Sequence, residues 1–524
     1  MSAYSKLAAS AHGRVTKSIN ATRVAIQVGH CSKSAKAQDL VQYLEASSVL
    51  KEVGIVTTGC DGACFAAPQV IVTYPGGTRA YFQNVSESDI PNIIQTICDC
   101  ETRQPSNDLE EFYESQYLLL MAGVGLVEPC DLDEYILSGG YASLDKALRM
   151  KPEEVIQEIS ASKLLGRGGA YFPPSIKWST ALNTDSDNRF LVVNAEEGEP
   201  GLFKDRHLME GIPHRIIEGA LISAYASGVT QCYVYINAEA ELSAERITCA
   251  LGQAAEVGLI GDNILDLGFS CAIGVMRGAG GYVCGEETTL LNTIEGLRRE
   301  PRLKPPFPVE SGLFQKPTVI NNVETIANIP IIIGMGASRF SQIGSDTATG
   351  TKLFSLSGLV RRPGLVELPL GSTLRQIVYD AGGGDLQGKP IHFMAVGGPS
   401  SGLLPMSYID VAMLPGFLHE SGVVMGGGGV MVMDTSVPVM DAVKSFAQYN
   451  SSESCGKCTP CREGTPRLVE LLNNLELSTK SSEDINKLRD LCEVLNGASL
   501  CGLGQMAGNV VLSALHFFRD DLIK

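Results

Sequence analysis

A chain of 524 residues has room for three or four domains, and a hydrophobic fraction of 44% is enough to give each one a core. A formal net charge of −17 at pH 7 argues against a nucleic acid or an anionic membrane as its partner. The 15 cysteines, with no secretory signal, point to a reducing, cytoplasmic compartment, and no apolar run approaches the ~20 residues of a membrane span.

Residues 1–22 contain Lys6, Arg14 and Lys17 among Ser and Ala, and the first acid of the chain is Asp39. They read as a frayed basic arm rather than a transit peptide. Residues 23–105 read as a compact unit of thioredoxin-like order. Strands are expected over 24–28, 53–57 and 69–74, a helix over 37–50, a hairpin turn at Gly76-Gly77, and a second helix ending near 97, entered at Ser86 with Asp89 three positions on. Cys31, Cys60 and Cys64 fall on its loops. Three thiolates are one short of a 2Fe–2S cage, and His30 reads as a bystander, so a cluster on this trio is the less favoured reading. Residues 106–138 read as a linker whose apolar stretch, 118–127, packs on the next domain.

Residues 139–345 carry the pattern of a doubly wound, Rossmann-like sheet: strands over 190–194, 232–236 and 271–276 alternate with helices over 213–227 and 242–257. A helix over 144–165 leads into Gly166-Arg167-Gly168-Gly169-Ala-Tyr171-Phe172, with Lys177 and Trp178 further along. Three glycines let backbone N–H groups approach an anion, and Arg167 and Lys177 add positive charge. Trp178 reads as packing. Glu196, Glu197 and Glu199 follow directly on a buried strand, where carboxylates are costly unless they bind something. A second glycine-rich loop, residues 277–288, contains Tyr282, Gly285, Glu286 and Glu287 and opens another helix, which makes one ligand cleft from both loops. Lys304 and Phe307 lie on a rigid, proline-rich loop able to cover a planar ligand, and Asn321-Asn322 precede a further helix.

Residues 346–435 change to short strands and glycine turns, and no chemistry is assigned to them. Residues 436–524 read as four helices with apolar stripes, including Leu468, Leu472 and Leu475 on the second and Ile485, Leu488, Cys492 and Leu495 on the third. A capping box is expected from Ser481 and Asp484. Cys492 belongs to the core. Cys455, Cys458 and Cys461 stand at Cys-x2-Cys-x2-Cys spacing on one loop, and Cys501 offers a fourth thiolate. That set suits a 4Fe–4S cluster better than zinc, for which paired Cys-x2-Cys is usual. Lys457 and Arg462 beside it would favour the reduced form.

Taken together, residues 166–178, 194–206, 281–291, 301–308 and 317–325 and the four cysteines resemble the NADH-binding flavoprotein subunit of respiratory complex I. Diaphorase subunits of NAD-linked hydrogenases and formate dehydrogenases share the resemblance, which covers about residues 140–524. It implies a Rossmann-like FMN domain, a β-grasp (SLBB-like) module and a helical 4Fe–4S domain, with NAD(H) as substrate. It implies that Gly166, Arg167, Gly168 and Lys177 cradle FMN, and that Asn194, Asn321 and Asn322 contact the flavin. By the same resemblance Glu196, Tyr282, Gly285 and Glu286 lie near the flavin edge, and Glu199, Glu287, Phe172, Lys304 and Phe307 serve the nucleotide. The partners implied are a small 2Fe–2S subunit and a larger multi-cluster subunit of a hydrogenase or formate dehydrogenase type. Two departures stand out: Tyr171 replaces a glycine beside the flavin, and Thr180 stands where a stacking phenylalanine is common. Tyr171 either occupies the nicotinamide's place or leans aside. In the first case the chain is a flavin and cluster conduit that exchanges electrons with ferredoxin or another protein; in the second it oxidises NADH.

Overall fold

The computed structural model describes residues 2–15, 21–47, 53–416, 418, 421–477 and 482–523. Among them, three sheets and a C-terminal helical region organise the chain. The first sheet orders strands Gly54–Thr58, Arg23–Gln27, Val70–Thr73 and Arg79–Phe82, with only the first pair parallel. Alternate residues Val24, Ile26, Val70 and Val72 meet Leu40, Leu44, Ile93 and Ile97 of the covering helices, so this unit closes its own core. Ser86 and Asp89 make the expected reciprocal bonds at the entry to the second helix.

The N-terminal stretch corrects an expectation. Residues Ala3–Val15 form a helix docked on helix Leu132–Leu137, with Ala11 fully buried. Tyr4 donates to the Gly140 carbonyl at 3.1 Å, and Arg14 forks onto Asp133. Residues 106–138 contain helices Asn107–Glu114 and Leu132–Leu137, and Leu120, Met121 and Val124 enter the main core. The successive amides of Leu119, Leu120 and Met121 all donate to the buried Glu367 carboxylate at 2.8–2.9 Å, and the Thr351 hydroxyl adds a fourth bond. A buried carboxylate so fully bonded is tolerated, and it ties this stretch to the third sheet.

The central sheet runs Gly261–Ile264, Phe269–Arg277, Gln231–Ile236, Phe190–Ala195, Thr318–Asn322. All pairs are parallel except the edge hairpin, whose short polar strand gives no alternation to read. Helix Pro213–Ser227 is buried along almost its whole length. Gly219 lets helix Val323–Met335 cross it closely, since a Cβ there would lie 2.2 Å from the Ile326 oxygen. The single helix expected over 144–165 is two, Ala142–Leu148 and Pro152–Ala161, because Pro152 starts a helix readily and cannot continue one. From Phe190–Ala195 the strands build outward on one side. The chain then returns to add Thr318–Asn322 on the other. That reversal is a topological switch point, whose crevice at the strands' C-terminal ends is where such sheets bind ligands. Asn194 and Asn322 are register partners there.

The third sheet orders Gly364–Pro369, Thr351–Gly358, Gly429–Asp434, Ile391–Val396 and Gly402–Pro405. Residues Gln376–Ala381 beside it form a π-helical stretch. Helices Val439–Ser452, Thr459–Leu477, Ser482–Ala498 and Asn509–Phe517 share a core of Val443, Leu468, Leu488, Cys492, Leu495 and Val510. Cys492 is buried in it, as expected. Ser481 of the anticipated capping box lies outside the described residues. No helix among the described residues is long and apolar enough to cross a membrane.

Candidate functional site

The glycine loop after helix Pro152–Ala161 is built to stay low. The Gly166 amide donates to the Phe172 carbonyl at 3.1 Å, and a Cβ on Gly166 would lie 2.9 Å from that oxygen. Gly169 has φ +113°, open in practice only to glycine. The backbone from Gly168 to Ala170 therefore forms one wall of a cavity of about 450 Å³ at the switch point. That volume falls in the range of about 300–1,000 Å³ typical of small-molecule sites. Asn194 and Asn322 form the wall from the central sheet, and Lys204 adds to it from helix Lys204–Gly211. Gly397, Ser400 and Gly427 close it from the third sheet. Cys501 and Leu503 close it from the helical region.

Charge inside this wall is organised as a network. The Lys204 ammonium meets Asp205 at 2.6 Å, the Asn322 amide oxygen at 3.1 Å and Glu324 at 3.2 Å. Lys352 meets Glu324 at 2.6 Å. Burial alone would raise the Glu324 carboxyl, but Lys352, Lys204 and Arg167 more than offset it and hold the group below its usual range. Burial pushes the Lys352 ammonium down to about 8, with Glu324 opposing. The network fixes Lys204 and Asn322 in place at the cavity wall. Arg167 corrects an expectation. Its guanidinium is fully buried and donates to the carbonyls of Thr351, Leu165 and Thr349 at 2.6–3.1 Å. It shapes the glycine loop from behind and does not reach an anion in the cavity.

The acidic loop after strand Phe190–Ala195 divides its work. Glu197 accepts from the amides of Asp205 and Arg206 at 2.7 and 2.9 Å and so caps helix Lys204–Gly211. Glu199 lines the cavity, and burial pushes its carboxyl up to about 8. Glu196 is 1% exposed and turned away, one oxygen accepting from Asn237 at 3.2 Å and the other buried without a partner. Burial pushes it up to about 8, with Arg206 opposing. The native state thus holds a proton that the unfolded chain releases above its ordinary pKa, so this group's contribution to stability falls as pH rises toward 8. Replacing Glu196 by Gln is expected to stabilise the protein increasingly between about pH 5 and 8, by up to about 5 kcal/mol above that. Denaturant melts across pH check it; a gain that does not depend on pH contradicts it.

At the mouth, the Glu286 carboxylate accepts from the amides of Thr288 and Thr289, both at 2.9 Å, and caps helix Glu287–Ile294. Lys304 bridges Glu286 and Glu287 at 2.9 and 2.7 Å, and Lys177 approaches Glu287 at 3.4 Å. Phe172 and Phe307 are half exposed beside this cluster of charge. Asn321 is not brought to the cavity: its oxygen accepts from the Trp178 indole at 2.9 Å, and Trp178 is buried packing. Tyr171 leans aside. Its hydroxyl donates to the Gly426 carbonyl at 2.8 Å, and its ring packs against the core of the third sheet rather than lining the cavity. Thr180 bonds the Ile176 carbonyl of its own helix.

Cys455, Cys458, Cys461 and Cys501 gather around Val283 and Leu503, beside Tyr282. Gly456, at φ +75°, turns the chain between the first two, and Cys461 sits in the first turn of helix Thr459–Leu477. All four are free thiols. Burial raises Cys461 and pushes Cys501 up to about 11. Four soft sulfurs whose thiolates need a nearby cation fit an iron–sulfur centre. Both loops are latched onto this centre: in the second glycine loop the Tyr282 amide donates to Glu453 at 2.7 Å, and in the acidic loop the Gly198 carbonyl accepts from the Tyr449 hydroxyl at 3.1 Å. Lys457 is tethered to Glu300 and the Pro301 carbonyl, and Arg462 to Glu463 and the Gly456 carbonyl, so both charges are partly compensated.

Sequence reasoning missed Lys204 and Asp205, which sit in a helix that reads as ordinary surface. It also missed Gly397, Ser400 and Gly427. The glycine runs at 397–398 and 426–429 were the available signal that the third sheet contributes backbone to the site.

Comparison with known proteins adds three matches along the chain. Residues 159–331 match the Nuo51 FMN-binding domain, residues 353–404 the SLBB domain, and residues 441–524 the NADH-ubiquinone oxidoreductase-F iron-sulfur binding region. The NADP-reducing hydrogenase subunit HndC of Solidesulfovibrio fructosivorans is 43% identical over 78% of this chain and 83% of its own. An F-type NADH-quinone oxidoreductase subunit of Rhizobium meliloti is 42% identical over 77% of this chain and 96% of its own. The crystal structure of an air-oxidized NAD+-reducing [NiFe]-hydrogenase superposes with a TM-score of 0.68 at 27% identity, covering 96% of this chain and 84% of that one.

Proposed function

The chain belongs to the family of F-type NADH-quinone oxidoreductase subunits and related hydrogenase subunits, and from that premise we propose how its residues divide the work of taking electrons from NADH. It is an FMN and 4Fe–4S flavoprotein, an electron-entry oxidoreductase subunit whose electrons pass to iron–sulfur partner subunits. The observation that carries this reading is the single cavity whose walls include both the Gly168–Ala170 backbone and the cluster cysteine Cys501. A flavin held on the glycine loop shares an enclosure with a cluster ligand.

Bound FMN supplies hydride acceptance from the nicotinamide and release of electrons one at a time. The protein does the rest. The backbone of Gly168 cradles the cofactor on a loop closed by Gly166, Lys204 with its carboxylate partners forms the polar wall beside it, and Asn194 and Asn322 orient the ring at the switch point. Tyr282, Gly285 and Glu286 border the flavin on the cluster side. Glu199 offers a polar contact to the nicotinamide nucleotide. Phe172 and Phe307 stack on the nucleotide at the mouth, where Lys177, Lys304 and Glu287 hold the polar rim. Cys455, Cys458, Cys461 and Cys501 hold the cluster.

The modules read as a thioredoxin-like domain over residues 23–105, a Rossmann-like FMN domain over 139–345, a β-grasp module over 346–435 and the cluster domain over 436–524. Cytoplasmic work beside a small 2Fe–2S subunit and a larger multi-cluster subunit, of a hydrogenase or formate dehydrogenase type, fits the overlap with the hydrogenase structure along 96% of the chain.

The conduit reading rests on Tyr171 filling the nicotinamide's place; the packing of its ring on the core of the third sheet supports the other reading. Steady-state oxidation of NADH and NADPH with an artificial acceptor tests this. The Tyr171→Gly variant is expected to keep the KM for NADH within about twofold and to lose stability by about 1–3 kcal/mol, as a packed ring is removed while a φ of +54° is relieved. A large gain of NADH oxidation in that variant would restore the conduit.

A further inference from the structure

The N-terminal sheet domain meets helix Lys204–Gly211 through sulfur. Cys31 sits in the short helix His30–Ser34, Cys60 on the loop after strand Gly54–Thr58, and Cys64 at the turn Cys64–Ala66. In the sequence this trio lacks a fourth donor. The fold brings one from 143 positions beyond Cys64: His207, whose Nε2 lies 3.5 Å from the Cys64 sulfur. The ligating atoms of Cys60, Cys64 and His207 all fall within 4.8 Å of one another. Cys31 is the next thiol, beside Cys64 but outside that close trio. His30, the donor nearest in sequence, faces Arg206 instead, 3.5 Å from its guanidinium.

Two further features mark the group as built. The His207 Nδ1 lies 2.7 Å from the Phe203 carbonyl oxygen. Donation there fixes the tautomer and leaves the Nε2 lone pair toward the thiols, the arrangement that metal-binding histidines show. The surrounding backbone is packed down on the group: a Cβ at Gly29 would come within 2.9 Å of the Cys60 Cβ, and one at Gly59 within 2.4 Å of the Gly211 Cα. All three cysteines are free, Cys60 and His207 are buried, and weak thiol hydrogen bonds are poor compensation for gathering them.

We propose that Cys31, Cys60, Cys64 and His207 bind one zinc ion in a closed Cys3His site that fastens the N-terminal domain to the flavin domain. A tetrahedral zinc, with Zn–S near 2.3 Å and Zn–N near 2.0–2.1 Å, needs ligand atoms about as close together as those of Cys60, Cys64 and His207, with Cys31 drawn in from beside Cys64 as the fourth. A 2Fe–2S cluster instead divides its ligands between two irons. The thiols give up their protons on binding, and the ion takes no part in electron transfer. The helix that supplies His207 also supplies Lys204 and Asp205 to the cavity wall.

The test is elemental analysis of the full-length protein, as wild type and as Cys60→Ser, His207→Ala and His207→Cys. The wild type is expected to hold about one dialysis-resistant zinc per chain. Cys60→Ser and His207→Ala are expected to lose it by about tenfold or more, and His207→Cys to keep it, with iron and flavin unchanged in all three. Cobalt exchanged into the wild type should give thiolate-to-cobalt charge-transfer absorption, which decides the matter even where a variant does not fold. Wild-type protein that holds no zinc and whose thiols react freely overturns the proposal. So does iron beyond the C-terminal cluster that disappears in Cys60→Ser.

Discussion

Replacing Gly168 by valine is expected to give a folded protein that has lost its flavin. A Cβ at this position already lies 3.1 Å from the Asn322 Cβ. Asn322 cannot yield freely, because it is held by Asp205 at 2.6 Å and by Lys204 at 3.1 Å, and it also caps helix Val323–Met335. The branched γ-methyls must therefore project into the cavity over the backbone that the cofactor approaches. Flavin content is expected to fall at least about tenfold, equivalent to about 1.4 kcal/mol of binding, and NADH oxidation with it. Iron content should not change, since Cys501, the cluster cysteine that lines the cavity, lies on another wall. Gly168→Ala, which asks Asn322 to move only slightly, is expected to keep most of its flavin. Flavin released on denaturation, counted against protein and iron, decides between these outcomes; a valine variant with full flavin contradicts the cradle.

Replacing Cys458 by serine is expected to separate the two halves of the reaction. Cys458 is partly exposed and precedes its helix, whereas Cys461 is buried with Gly504 against it, so the first can be changed with little damage to packing. A serine hydroxyl is a far poorer iron ligand than a thiolate, and the cluster is expected to be lost or degraded. Electron delivery to an iron–sulfur partner should fall by about a hundredfold or more. Reduction of a flavin-reactive dye by NADH should stay within about twofold, because the glycine loop and its network do not touch Cys458. Equal loss of both activities would mean that the cluster region also shapes the flavin site.

What the sequence disclosed depended on how local the signal was. Cysteine spacing and glycine runs are local, and they located the cluster and both loops. The strand and helix alternation of residues 190–257 likewise carried over to the central sheet. Arg167 misled because its type suits an anion, while its direction is set by carbonyls of residues 349 and 351, far along the chain. His207 was invisible for the same reason: its partners are about 140 positions or more away and no spacing rule links them. The basic arm is a docked helix, received by Asp133 and Gly140 from more than a hundred positions away. Tyr171 could not be placed without knowing that the Gly426 carbonyl lies within reach. In each case side-chain chemistry was readable from the chain, and side-chain direction came from tertiary contacts.

The most direct test of the account is an anaerobic titration of the purified protein with NADH, followed by absorbance for the flavin and by electron paramagnetic resonance for the cluster. The single cavity joining Gly168 to Cys501 predicts that stoichiometric NADH bleaches the flavin and that the reduced-cluster signal appears with it. A flavin that ignores NADH and NADPH but bleaches with dithionite or reduced ferredoxin would contradict electron entry at this site.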